Sequence, residues 1–433
     1  MFVERSVGRI RLARGLFVLL GLGPCLALAA WAWHRGSASH REAVTRSWER
    51  AVGLPLEVGA VTHPRPGVVV ATECVLRSAA GRTMVRLPQV EVESAGPENR
   101  IRIGSVQIDA AAVADLAALA GEWLRHATRH PRNCVVAVDE VICPEEASAG
   151  GDAAVAAGLR IECVVQDGAR AVRIVRAGGD EIRIVRTLTA GGDEAGGERI
   201  DVDGLLAQPV PAALIAAAAG FREAGAPLRT AIGTALVTGT LHASSGGAPS
   251  SGSASGRIHG IDVADCCASI GGGGAGVAAV QVRRLVWREG RLADLAVDFG
   301  CGPGWVDNAV FDRLVVALGF RPGPAAAQMP ADRRGFDTVA CGIDLEGVAV
   351  RLRGSDSSPD GVALAAGGVV LRPPPDLIGF DRLAWMLSPP AATFVPAAGP
   401  GAWLMSIVPA AAAPASVGPN AMRPAPQGGR RGF

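Results

Sequence analysis

Two histidines, His126 and His130, stand four residues apart just ahead of Cys134. On a helix that spacing puts both rings on one face, where they could share a metal ion. The glutamate of an HExxH zinc site is missing, because Ala127, Thr128 and Arg129 fill the gap. A polar helix end carrying histidines, favoured by the macrodipole, accounts for the same pair. Gly271–Gly276 contains the letters GxGxxG. It leads into a strand-like segment, and a dinucleotide or phosphate cradle needs a helix there; a flexible loop is the plainer reading. Cys266 and Cys267 are adjacent and could form a strained redox disulfide; two small strand-end residues are the alternative. Asp294 and Asp298 fall on one face of a presumed strand, but acid–base work needs two carboxylates close in space. No GxSxG nucleophile elbow occurs. The expectation is a protein with no catalytic residue, no metal and no cofactor.

The remaining cysteines support no metal either. Cys74, Cys134, Cys143, Cys163, Cys266, Cys267, Cys301 and Cys341 lie beyond an apolar N-terminal run that holds Cys25, and no CxxC is present. Their even number permits disulfides in an oxidising compartment, with connectivity left open. Cys134 and Cys143 flank a short strand-like run, which makes a bridge between them one reading and small buried apolar residues the other. The chain of 433 residues carries a net charge of +1, which gives no electrostatic case for nucleic acid. All its cations except histidine are arginines, and tyrosine is absent, a compositional bias that discourages reading function into any one arginine.

What positions these residues is set by the stretch Gly15–Trp33, GLFVLLGLGPCLALAAWAW, which has no charged side chain. Its length is close to the roughly 20 residues a helix needs to span a bilayer core. Leu16, Phe17, Leu20 and Leu22 would face lipid, and Trp31 and Trp33 fall where interfacial tryptophans belong. Arg5, Arg9, Arg11 and Arg14 precede it, so the positive-inside rule keeps residues 1–14 in the cytoplasm and places the body across the membrane. A cleaved signal peptide is the rival reading, with Ala27-Leu28-Ala29 as its small-residue site. The expected location is a single pass through the inner membrane with the bulk of the chain in the periplasm.

Residues 34–52 read as a juxtamembrane helix, with Val44, Trp48, Ala51 and Val52 at helical spacing. Residues 53–242 then read as a first β-rich half built of short strands separated by turns, as an antiparallel meander requires. Asp109 can cap a helix over 110–129 that covers one end of the sheet. Alternation such as Arg100/Ile101/Arg102/Ile103 puts one face in water and one inward. Residues 243–256, ASSGGAPSSGSASG, read as a flexible linker. Residues 257–388 form a second β-rich half, and a Pro-, Ala- and Gly-rich tail over 389–433 reads as disordered apart from Trp403–Val408. The fold class is therefore mainly β with a few helices: one transmembrane helix, then an antiparallel meander curled into a groove or packed as a sandwich.

The opening strands, LPLEVGAV…PGVVVATECVLRSAAGRTMVRLPQVEVE, directly after an anchor and a short helix, resemble the AsmA-like, TamB-related superfamily of envelope proteins. The segments GRLADLAVDFGCGPGWVDNAVFDRLVVALGF and FDTVACGIDLEGVAVRLRG look like the closing sheet of such proteins. The resemblance is specific over roughly residues 15–110 and diffuse beyond. It implies a twisted sheet with an apolar trough, passive phospholipid transfer or outer-envelope biogenesis, membrane phospholipid as ligand and an envelope protein as partner. Lining residues expected on this reading are Val68, Val70, Ile101, Ile103, Val172, Ile174, Ile182 and Ile184. A membrane-anchored scaffold with a closed sandwich core is the alternative. Large uncovered apolar faces are rare on soluble proteins and mark binding surfaces, which is the physical content of the first reading.

Overall fold

A computed structural model describes residues 7–96, 98–109, 112, 113, 115, 116, 118–120, 133–142, 154–166, 169–188, 198–212, 215, 235–245, 250–330, 332–354, 361–388 and 400–408. The N-terminal apolar run is one continuous rod: α1 (Val7–Phe17), a π-helical turn over Val18–Leu22, and α2 (Gly23–Arg35). The π turn has a local cause. Pro24 offers no N–H and its ring crowds the carbonyl four residues back. Widening the preceding turn resolves this, and Gly23 donates to the Val18 carbonyl, five residues away. Residues Arg14–Arg35, 22 in all, are long and apolar enough to span a membrane, and none of their apolar stretch is buried against the body. The anchor residues named above are all exposed; Trp33 is 84% accessible. The Arg35 guanidinium lies 3.8 Å over the Trp31 ring. α3 (Ala38–Val52) follows, capped by the Ser37 hydroxyl and closed by Gly53 in the left-handed region.

The body is organised by one sheet of 20 strands. At its first edge β1 (Leu56–Glu57) and β2 (Ala60–Thr62) both pair with β3 (Val68–Arg77). β4 (Thr83–Ala95) and β5 (Glu98–Ile108) continue antiparallel. β6 (Asn133–Ile142) lies parallel to β5, where a meander would be antiparallel; every other pairing among the described strands is antiparallel. A parallel neighbour needs a long crossover, and residues 113–120 are helical wherever they are described. The remainder of the helix expected over 110–129, with His126 and His130, falls outside the described residues, as does Cys143. From β6 the order is sequential and antiparallel through β7 (Ala154–Gln166), β8 (Ala169–Arg176), β9 (Asp180–Leu188), β10 (Glu198–Pro211), β11 (Leu236–Ser245) and β12 (Ser251–Asp262).

α4 (Val263–Ser269) and β13 (Gly274–Ala275) interrupt before β14 (Val277–Arg288) returns to pair with β12, and β15 (Arg291–Cys301) pairs with β14. β16 (Gly304–Asp307), α5 (Asn308–Leu318), β17 (Arg321–Pro322) and β18 (Arg333–Phe336) come next, and β13, β16 and β18 form a separate small sheet. β19 (Thr338–Glu346) rejoins the large sheet beside β15. β20 (Ala349–Gly354), β21 (Leu364–Ala365), β22 (Val369–Arg372) and β23 (Ile378–Gly379) finish it, with α6 (Phe380–Met386) and α7 (Pro400–Ser406) packed behind. The sheet is not closed into a barrel.

One expectation changes here. Residues 243–245 and 251–256 are strand, not linker: β11 and β12 form a hairpin inside the sheet, with Ser244 opposite Ser251. The small residues have a packing reason. A Cβ on Gly252 would stand 2.4 Å from the Trp287 ring, and one on Gly239 would stand 2.2 Å from the Ser255 carbonyl oxygen. The stretch set apart from the disordered reading of the tail, Trp403–Val408, lies against the body. Leu404 and Val408 pack on the main core, and Leu292 donates to the Ile407 carbonyl at 2.8 Å.

Candidate functional site

Register partners on adjacent strands share a face, so the pairings assign every side chain of the sheet to one side or the other. Val92, Ile101, Val136, Ile161, Ile174 and Ile182 are successive partners from β4 to β9. The row continues through Gly204 to Leu241, which is 42% exposed. Cys134, Cys163, Val172, Ile184, Val202 and Ala243 form a parallel row on the same face. The opposite face carries Glu93, Arg100, Glu162, Arg173, Arg183, Asp203 and His242. There Arg173 bonds Glu181 at 2.8 Å and Arg160 bonds Glu162 at 2.7 Å. The hydrogen bond from Arg173 draws the exposed Glu181 carboxyl below its ordinary value.

The expected lining set divides on this test. Ile101, Ile103, Val172, Ile174, Ile182 and Ile184 share the aliphatic face. Val68 and Val70 do not: their partners are Glu93 and Glu91, on the charged side, and Val68 is buried. The residues that do belong are Val69 and Ala71, opposite Val92 and Val90. In a strand of four consecutive apolar residues, alternation gives no parity; only the partner strand does.

Coverage of the aliphatic face varies along the sheet. Near β3–β5, Trp48 of α3 packs over Ala71, Cys74 and Val90, with Ile101 and Ile103 at the margin. Ala112 and Leu116 pack over Met84, Val85 and Val138. At the far end the two-sided core contains Val310, Phe311, Leu318 and Phe380. Between these covers the small cluster of Cys163 and Val172 has as neighbours only Cys134, Ile161, Ile174 and Ile184, all from the sheet itself, among the described residues. There Ile161, Ile174, Ile182, Ile184 and Val202 are half-buried.

The strip is narrow and its margins are charged. On β8 and β9 the face reads as four rows of partners: Arg170 with Arg186, Val172 with Ile184, Ile174 with Ile182, and Arg176 with Asp180. Arg170 and Arg186 are buried, and Arg176 bonds Asp180 at 3.1 Å. Burial, partly offset by the neighbouring thiols, lowers the pKa of Arg170. Arg173 and Arg183 face water, whereas Arg170, Arg176 and Arg186 lie on the aliphatic face. From β7 to β11 are four strand spacings of about 4.8 Å, or about 19 Å. That exceeds the ~15 Å of one leaflet's hydrocarbon, half of a core roughly 30 Å thick.

The other sequence candidates resolve into structure. Gly273 donates to the Asp307 carboxylate at 2.5 Å, and the same carboxylate caps α5 through Val310 at 2.9 Å. A Cβ on Gly272 would lie 2.4 Å from a Val310 methyl. The glycine run is a packed turn already holding an anion of the protein's own. Cys266 and Cys267 sit in helix α4, not at a strand end, and are not joined in a disulfide; burial pushes Cys267 up to about 12. Asp294 pairs with Arg284 at 2.7 Å, and Asp298 pairs with Arg283 at 2.6 Å and Arg353 at 3.3 Å, so both carboxylates are neutralised by arginine. No group of three or more metal-ligating side chains stands together among the described residues.

Two clusters are visible only in three dimensions. His40 and His63 approach through their Nε2 atoms at 3.4 Å, with His34 edge-on to His40, where α3 meets the first sheet edge. Burial and the charges of Arg35 and His40 lower the pKa of His63. Cys134 and Cys163 are direct partners across β6 and β7. Neither pair has a sequence signal, because both join residues far apart in the chain.

No protein-family model matches this chain, and no curated protein matches it. The class its fold defines is a mainly β protein with one large open sheet, behind an N-terminal helix long and apolar enough to cross a membrane.

Proposed function

We propose that this chain is an inner-membrane-anchored, periplasm-facing, non-catalytic protein that holds acyl chains along the aliphatic face of its sheet, serving phospholipid transfer or outer-envelope biogenesis. One observation carries the reading: the row from Ile161 through Ile174 and Ile182, all half-buried, to the exposed Leu241, bordered on β8 and β9 by charged rows. Apolar side chains accept methylenes with no directional requirement, at about 0.8 kcal/mol for each methylene removed from water. The rows of Arg170 with Arg186 and of Arg176 with Asp180 bound the strip on either side. The exposed helix before the body supplies the membrane attachment. The AsmA-like resemblance points the same way. A closed-core scaffold draws its support from the large cluster that joins the strands from β12 onward to α5 and α6.

The test is mass spectrometry of lipids extracted from residues 35–408, purified without detergent. Stoichiometric phospholipid is the expected result. A folded, lipid-free body refutes the trough and favours the scaffold.

A further inference from the structure

The Cys134–Cys163 pair has a geometry that the lipid reading does not use. Cross-strand partners in an antiparallel pair have Cα atoms about 4.5–5.5 Å apart. That lies inside the 4.4–6.8 Å range that a disulfide spans. Both side chains are on the aliphatic face, since Cys134, Cys163, Val172 and Ile184 are consecutive partners. Their exposure differs: Cys163 is buried at 2%, and Cys134 is half-buried and the more accessible of the two. Cys163 donates a hydrogen bond to Cys134, and Arg170, two residues from Val172 on the same face of β8, bears on both.

Comparison with the other thiols shows that this environment is specific. Cys74 and Cys341 are each pushed up to about 11, by burial above all. Cys134 moves the other way: the hydrogen bond from Cys163, aided by the Arg170 charge, outweighs burial and brings it below the ordinary thiol value. Cys163 is raised, first by that same hydrogen bond and then by burial. The pair therefore gives up its first proton more readily than an ordinary thiol and its second less readily.

We infer that Cys134 and Cys163 are a redox-active cross-strand dithiol, with Cys134 as the attacking sulfur and Cys163 as the resolving one, that closes a disulfide by exchange with small-molecule disulfides. The Cys134 thiolate attacks one sulfur of the disulfide RSSR, and RS⁻ leaves and takes a proton from water. Cys163 then loses its proton and attacks Cys134 Sγ, and the second RS⁻ leaves and is protonated. Two protein thiols are oxidised to one disulfide, and RSSR is reduced to two RSH. The accessible member carries the nucleophile and the buried one is reached only from within, which is the order of events the burial difference dictates.

The test uses the full chain in detergent micelles, reduced with dithiothreitol and then treated with oxidised glutathione. Remaining thiols are alkylated under denaturing conditions and the peptides are mapped by mass. The expected product is one linked peptide pair containing Cys134 and Cys163, lighter by two hydrogens, restored by dithiothreitol. Cys163→Ala should stop at a glutathione adduct on Cys134, and Cys134→Ala should leave Cys163 unmodified. Iodoacetamide labelling of the unsubstituted chain across pH needs no variant to fold, and Cys134 should reach half its maximal rate well below the pH of an ordinary thiol. Both thiols free after oxidation, a Cys134–Cys143 link, or Cys134 labelling only at the pH of an ordinary thiol would each overturn the inference.

Discussion

Replacing Ile174 by Arg tests the aliphatic strip at its centre. Ile174 lies between Ile161 and Ile182, with Arg176 two residues away on the same face. A bound acyl chain crossing β8 passes Ile174 over about one strand spacing, about 4.8 Å, or roughly four methylenes. At about 0.8 kcal/mol each, losing that contact costs about 3 kcal/mol, about two orders of magnitude in affinity. The new guanidinium also meets the like charge of Arg176, which adds to the loss. The fold should survive, because the site is half-buried and an arginine stem can lie along apolar surface with its head in water. The next residue supplies the control. Val175 pairs with Arg160 and Glu181 on the charged face, so Val175→Arg should leave lipid content unchanged. Both variants of residues 35–408 are purified without detergent, and phospholipid per chain is measured by mass spectrometry, with circular dichroism to confirm folding. Ile174→Arg retaining full phospholipid, or both variants losing it equally, refutes the assignment of faces and with it the strip.

Other perturbations follow from the same structure. His63 has a folded-state pKa below its ordinary value of 6.5, chiefly through burial. The unfolded junction therefore binds the proton more readily, and its stability is present above about pH 6.5 and declines as pH falls below it. Hydrogen exchange at α3 and β2 between pH 8 and pH 5 should show this, and His63→Gln should flatten the profile; an unchanged slope in the variant removes the histidine as its cause. Gly256→Ala places a Cβ 2.2 Å from the Thr238 carbonyl oxygen. It should lower stability by about 2 kcal/mol or more, read as a drop in Tm, because backbone on both sides must move; an unaltered Tm means that the β11–β12 hairpin does not pack as described. Asp307→Ala removes the cap of α5 and the acceptor for Gly273 together. The expected loss is about 2 kcal/mol in a denaturant titration, and a change within error would show that neither bond contributes.

What the sequence determined by itself was everything governed by local chemistry. An uncharged run from Gly15 to Trp33 can only be satisfied as a helix exposed to an apolar medium or buried, and the basic residues before it bias its orientation. Arg100/Ile101/Arg102/Ile103 and Arg173/Ile174 alternate strictly, so their two-faced strands were legible one at a time. Asp262 caps α4 and Asp307 caps α5, but α4 was not legible: its Cys266 and Cys267 read as strand-end residues. Parity and pairing were decided only by tertiary structure. VVVA over Val68–Ala71 has no alternation, and only the pairing of Val69 with Val92 turns Val68 and Val70 to the charged side. SSGSASG looks like a linker because nothing in it resists water, but it becomes a strand because two neighbours satisfy its backbone and Trp287 needs the space that Gly252 leaves. Cys134 meets Cys163 rather than standing alone because β6 and β7 are antiparallel in one register. Such pairings depend on contacts between residues distant in the chain, which local propensity does not encode, and the aliphatic strip and the dithiol both exist only through them.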